Sequence, residues 1–128
     1  MTIGITGYGV YIPRLRLSRK AVVDANAWFA PNLKGKGRGH RSMANWDEDA
    51  ITMAVAASRD AMPESVDRQT IAKVLFASEN LPFAERLNAG ILSGALSLAD
   101  NVVANDISGA QSIALSSLSQ AVSAAKAD

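Results

Sequence analysis

A chain of 128 residues is long enough for one domain with one core. It is 48% apolar but only 5% aromatic, so the apolar surplus is Ala, Val, Ile and Leu, the composition of helices packed closely on a sheet. A formal net charge of +1 gives no field to hold nucleic acid or an anionic membrane, and the lack of cysteine excludes disulfides, thiolate metal sites and a thiol nucleophile together.

The opening MTIGITGYGVYIP has no basic n-region and no long apolar core, so it does not read as a signal peptide. No apolar run is long enough to span a bilayer, and a cytoplasmic protein is expected. Ile3–Ile12 alternates apolar residues with Gly and Thr before Pro13, which predicts a strand with close neighbours at Gly4, Gly7 and Gly9. The glycines do not make a dinucleotide fingerprint. Ile12 stands where the third glycine belongs, and Pro13 follows instead of a helix.

Ser18 is placed to cap a helix over Arg19–Phe29, with Val22, Val23 and Trp28 available for burial and Pro31 as the stop. Asn32–Ser42 is a basic glycine-rich loop carrying Lys34, Lys36, Arg38, His40 and Arg41. Such a loop either holds a phosphate-bearing ligand or is simply solvated. His40 is the one histidine and cannot build a zinc site alone. Asn45 and Glu48 have the spacing of a capping box, and Asp47, Glu48 and Asp49 suit the positive end of a helix running to about Met62. Capping explains these acids better than a metal site does. Ile51, Ala54, Val55, Ser58 and Met62 fall on one face of that helix.

Ile71–Ser78 is a short apolar run suited to a buried strand, and Glu79 ends it. A carboxylate at the end of a buried strand stands where open α/β sheets place their chemistry, although it could equally be an exposed loop acid. Beyond Pro82, Arg86–Leu98 predicts a helix with Leu87, Ile91 and Ala95 on one face. Val102–Ile107 predicts a strand, and Gln111–Lys126 a final helix of small residues. The alternation of strands and helices predicts an α/β fold, a βαβαβ-type parallel sheet with helices on both faces. The last helix has so little polar surface that a partner subunit or further polypeptide is expected to cover it.

Four stretches, GITGYGVYIPRLRLSR, WDEDAITMAVAASRDAM, VLFASEN and NDISGAQSIALSSL, occur in an order and spacing that resemble the N-terminal half of the thiolase-fold condensing enzymes. The branch resembled is that of hydroxymethylglutaryl-CoA synthase and 3-oxoacyl-acyl-carrier-protein synthase III. The resemblance covers essentially residues 1–128 as one N-terminal thiolase-like domain, with the C-terminal half absent. It implies one half of a five-layered αβαβα architecture. It also implies carbon–carbon bond formation from a CoA or acyl-carrier-protein thioester, with no covalently bound cofactor and no metal. The partners it implies are the thioester and a homodimer mate or complementary thiolase-fold chain, with an OB-fold/zinc-ribbon protein as a further candidate in a complex.

The resemblance also implies the site. The family's nucleophilic cysteine falls on Gln111, which cannot form an acyl thioester. An offset of a few residues would place Ser108 or Ser112 there instead. Glu79 falls where the hydroxymethylglutaryl branch keeps a general acid/base, and Lys36 and Arg38 fall near the family's CoA entrance. The family's catalytic histidine and its asparagine or second histidine belong to the absent half. Three functions are open: an HMG-CoA-synthase-like portion inactive alone, a non-catalytic structural subunit, and a malonyl-thioester decarboxylase in which the Gln111 amide polarises the carbonyl.

Overall fold

A computed structural model of the chain describes residues 2–127. Its contacts group into two compact units, Ile12–Glu48 and the remainder of the chain.

In the smaller unit, β1 (Leu15–Ser18) pairs antiparallel with β2 (His40–Met43), Leu15 opposite Met43 and Ser18 opposite His40. Between them runs α1 (Arg19–Asn26). Ser18 caps it as expected, its hydroxyl accepting from the Ala21 amide. The helix ends three residues before the expected Phe29, because Asn26 turns its side-chain amide back onto the Val22 carbonyl at 2.6 Å. Trp28 and Phe29 then lie exposed, edge to face at 5.1 Å. The basic loop is built rather than loose. Gly35 and Gly39 take φ of +83° and +74°, and a Cβ on Gly37 would sit 3.1 Å from the Lys20 Cα of α1.

In the larger unit, β3 (Lys73–Ala77) and β4 (Val103–Ile107) pair parallel in the register Lys73 to Val103 through Ala77 to Ile107. They alternate with α2 (Ala50–Ala61), α3 (Asn88–Ala95) and α4 (Ile113–Ala127), the α/β order that the sequence predicts. The core is Ile51 of α2, Phe76 of β3, and Ala89, Leu92 and Leu96 from α3 and its end, with Ala54, Val55 and Met62 of the expected α2 face packed against it. The buried face of α3 is Ala89, Leu92, Ser93 and Leu96, one position round from the expected Leu87–Ile91–Ala95 face. Leu87 is left half exposed at 50%.

Two local expectations change. The Ile3–Ile12 segment joins neither ladder. It lies along α2, where the Val10 amide donates to the Asp60 carboxylate at 3.0 Å. The capping box of α2 also lies four residues later than its sequence signature. Asp49 accepts from the Thr52 amide and Thr52 from the Asp49 amide, each at 2.8 Å, whereas Asn45 and Glu48 close only the preceding turn. Asp49→Ala is expected to cost about 1 kcal/mol, read as a lower urea midpoint at unchanged slope. Asn45→Ala, outside the cap, should cost less than half of that.

Candidate functional site

Parallel strands end their loops at one edge, and β3 and β4 bring two of the expected residues there. The Ser78 amide donates to the Ile107 carbonyl at 3.0 Å, so the ladder runs one residue past the end of β3. Glu79 leaves from β3 directly after this bond and is exposed. On the other side, β4 enters a turn in which Gly109 takes φ +151° and the Ile113 amide donates to the Ala110 carbonyl at 2.9 Å. Only glycine adopts this φ without strain. Gln111 is exposed in that turn. It precedes α4 by two residues instead of opening it, because the Ser112 carbonyl takes the first helical bonds, from Leu115 and Ser116. Ser108 and Ser112 are exposed in the same turn.

A polar knot stands behind this edge that the sequence reading does not contain. Asp106 of β4 accepts from the Asn88 amide and the Asn88 side chain at 2.8 Å each, and from the Ala89 amide at 2.6 Å. Burial pushes the Asp106 carboxyl up, but these hydrogen bonds outweigh it and hold the pKa below the ordinary carboxylate value. Asn88 is 1% exposed, and an asparagine in RLNAG reads from sequence as an ordinary helix-start residue. Its one signal is the carboxylate at Asp106, an acid inside the parallel strand pair.

Each unit has a concavity of its own. A cleft of about 940 Å³ runs along β3 between α2 and α4, walled by Ala54, Ala57, Ser117, Ala121 and Ala125. It contains neither Glu79 nor Gln111. In the smaller unit a hollow of about 580 Å³ is lined by Lys20, Val23, Asp24, Lys34, Gly37 and Arg38. Of the loop's lysines and arginines, Lys34 and Arg38 line it and Lys36 does not. Lys20 is paired with Asp24 at 2.6 Å, so Lys34 and Arg38 are the cations of the hollow without that pairing. The Ile12–Glu48 unit carries eight of the thirteen Lys and Arg residues and three of the twelve acids, so a nearly neutral chain contains a strongly basic unit. Among the described residues no group of three His, Asp or Glu side chains could hold a metal ion, and no helix is long and apolar enough to cross a membrane.

No family-wide sequence profile matches the chain. Individual relatives do. It is 38% identical over 112 residues to the hydroxymethylglutaryl-CoA synthase of Methanosarcina barkeri, covering 83% of this chain and 31% of that one. It is 32% identical over 104 residues to the enzyme of the same name from Aeropyrum pernix, covering 80% and 29%. The 3-oxoacyl-(acyl carrier protein) synthase III of Xanthomonas oryzae superposes with a TM-score of 0.81 at 20% identity, over 93% of this chain and 38% of that one. The priming β-ketosynthase of the R1128 polyketide pathway superposes at 0.77 with 29% identity, over 94% and 36%.

Sequence and fold together give this chain the thiolase-like fold, in a stretch equivalent to the N-terminal portion of the thiolase-superfamily condensing enzymes. Within that class its curated relatives carry the name hydroxymethylglutaryl-CoA synthase, and the chain spans about a third of their length.

Proposed function

We propose that the chain is the N-terminal portion of a hydroxymethylglutaryl-CoA-synthase-like acyltransferase, acting on CoA or acyl-carrier-protein thioesters and not competent alone. The observation that carries this reading is the turn after β4. It has the strand-to-helix form that this reading requires of the nucleophile turn, and Gln111 is exposed in it. Glu79 at the adjoining strand end is the general acid/base of the same reading. Lys34 and Arg38, with Lys36 on the same loop, supply cations for the phosphates of the thioester carrier. A glutamine amide can donate to a thioester carbonyl but cannot be acylated.

The chain incubated with radiolabelled acyl-CoA is expected to carry no label after denaturing gel separation. A stable adduct on Ser108, Gln111 or Ser112 contradicts the assignment. In the assembled protein, Glu79→Ala is expected to lower kcat about a hundredfold while assembly stays intact; unchanged turnover removes Glu79 from the site.

A second reading, a non-catalytic structural subunit, is favoured by α4. Leu115 is 72% exposed and Leu118 47%, an apolar face that a homodimer mate or a complementary thiolase-fold chain would cover. The two readings separate on Glu79→Ala, which a purely structural subunit tolerates. The malonyl-thioester decarboxylase reading shares the Gln111 role and differs by releasing carbon dioxide from a malonyl thioester.

A further inference from the structure

The loop between β3 and α3 carries Glu79 and has little regular backbone hydrogen bonding of its own. Its central residue, Phe83, is held by a side chain. The Phe83 amide donates to the Asn88 Oδ1 at 3.0 Å, and the Asn88 Nδ2 donates to the Phe83 carbonyl at 2.9 Å. Both backbone groups of one residue are thus satisfied as a neighbouring strand would satisfy them. The same Nδ2 reaches the Arg86 carbonyl at 3.2 Å and Asp106 at 2.8 Å. The Arg86 guanidinium then lies 5.9 Å from the Phe83 ring centroid, closing the loop on itself.

What aims Asn88 is Asp106. One carboxylate oxygen takes both the amide and the side chain of Asn88, and the other takes the Ala89 amide, so α3 is capped from the neighbouring strand and not from its own Leu87. Asp106 is directly followed by Ile107, whose carbonyl holds Ser78, and by the turn to Gln111. One side-chain pair therefore touches the loop that leaves β3 and the strand end from which the turn departs.

We propose that Asn88 and Asp106 are positioning residues, which hold the Glu79–Leu87 loop and the Ile107–Ser112 turn in one arrangement so that Glu79 and Gln111 are presented together. This rests on the reading of Glu79 and Gln111 as site residues. Neither Asn88 nor Asp106 touches the reacting groups; each acts through the backbone it holds.

The test is amide exchange and side-chain resonances of the isotopically labelled chain carrying Asn88→Ala. In that variant Asp106 still accepts from the backbone of residues 88 and 89, so α3 keeps its cap while Phe83 loses both partners. The Phe83 amide is expected to exchange at least about tenfold faster. The Glu79 carboxyl and Gln111 amide resonances should both move, while the Val74 and Asn105 amides, mid-ladder, keep their protection. Asp106→Asn preserves volume and one acceptor and should give the same pattern at smaller size. Loosening of Phe83 with Glu79 and Gln111 unmoved overturns the proposal, as does a uniform loss of protection through β3, α3 and β4. Should Asn88→Ala not fold, Asp106→Asn decides by the same criteria. Activity separates the two readings. The clamp pattern without thioester turnover in the assembled protein sinks the site assignment alone, and turnover without the clamp pattern sinks the clamp alone.

Discussion

Asp106→Ala is expected to destabilise the larger unit by about 3 kcal/mol at neutral pH. Three donors lose a charged acceptor, two of them first-turn amides of α3 and the third the side chain of an asparagine 1% exposed. Each hydrogen bond to a charge contributes about 1.5–3 kcal/mol, but the three share one carboxylate and do not add fully. The effect depends on pH in a defined direction. The folded-state pKa lies below the ordinary value. The stabilisation is therefore complete above the unfolded-state pKa and is lost as pH falls through the lower folded value. Denaturant unfolding of the parent and Asp106→Ala chains should differ most near neutrality and converge as pH drops below about 4. A difference that stays constant into acid contradicts this account.

Phe76→Ala is expected to cost about 3 kcal/mol, the low end for a buried phenylalanine. Phe76 is 7% exposed and joins the core of Ile51, Ala89, Leu92 and Leu96, so its loss removes the buried strand side chain of that cluster. The low end applies because Phe76 also borders the cleft of about 940 Å³ along β3. The void left by the ring opens into that cleft instead of forming a sealed cavity, and water can enter it. Thermal melting should fall by roughly 10 °C. Phe76→Leu, which keeps most of the apolar volume, should recover more than half of the loss. A Phe76→Ala melt within about 2 °C of the parent would mean that this cluster is not the core.

The elements with strong local patterns were legible in the sequence. Ile51, Ala54, Val55 and Met62 define the α2 face, and the apolar runs at Ile71 and Val102 contain β3 and β4. What escaped was non-local. The pairing of LRLS with HRSM involves two four-residue segments, the second without apolar alternation, separated by a helix and a glycine-rich loop. The Asp49–Thr52 box was hidden because threonine is an unusual reciprocal partner, while the more regular Asn45–Glu48 signature lies just upstream. The α3 face was misjudged because Ser93 is buried by bonding its hydroxyl to the Ala89 carbonyl at 2.7 Å, which a hydropathy pattern scores as solvent.

The site divides in the same way. Glu79 and Gln111 could be singled out as candidates because each follows a recognisable strand, and parallel pairing places both strand ends at one edge. The basic loop was legible in the sequence, but which of its cations line the hollow was not. Alternate residues of an irregular loop need not point the same way, and Lys34 replaces Lys36 in the hollow. Asn88 could not be found from its neighbours in sequence. Its partners are Asp106, eighteen positions away, and backbone groups that any residues would supply.

The paired glycines of the first segment carry a consequence for how that segment can sit. Gly7 and Gly9 are two apart and so share a face of an extended chain. A Cβ on Gly9 would overlap the Ala57 carbonyl and the Ala61 amide, and one on Gly7 would lie 3.0 Å from the Ala61 carbonyl. Bare backbone is thus pressed against bare backbone. Sliding the segment by one residue would drive the Cβ of Tyr8 or Val10 into α2, and sliding by two would bring Ile5 or Tyr11 to a seat that only glycine fits. The segment therefore has a single notch along the helix. Its position is set by the absence of side chains, like a key cut to one depth, and not by the strength of any contact it makes.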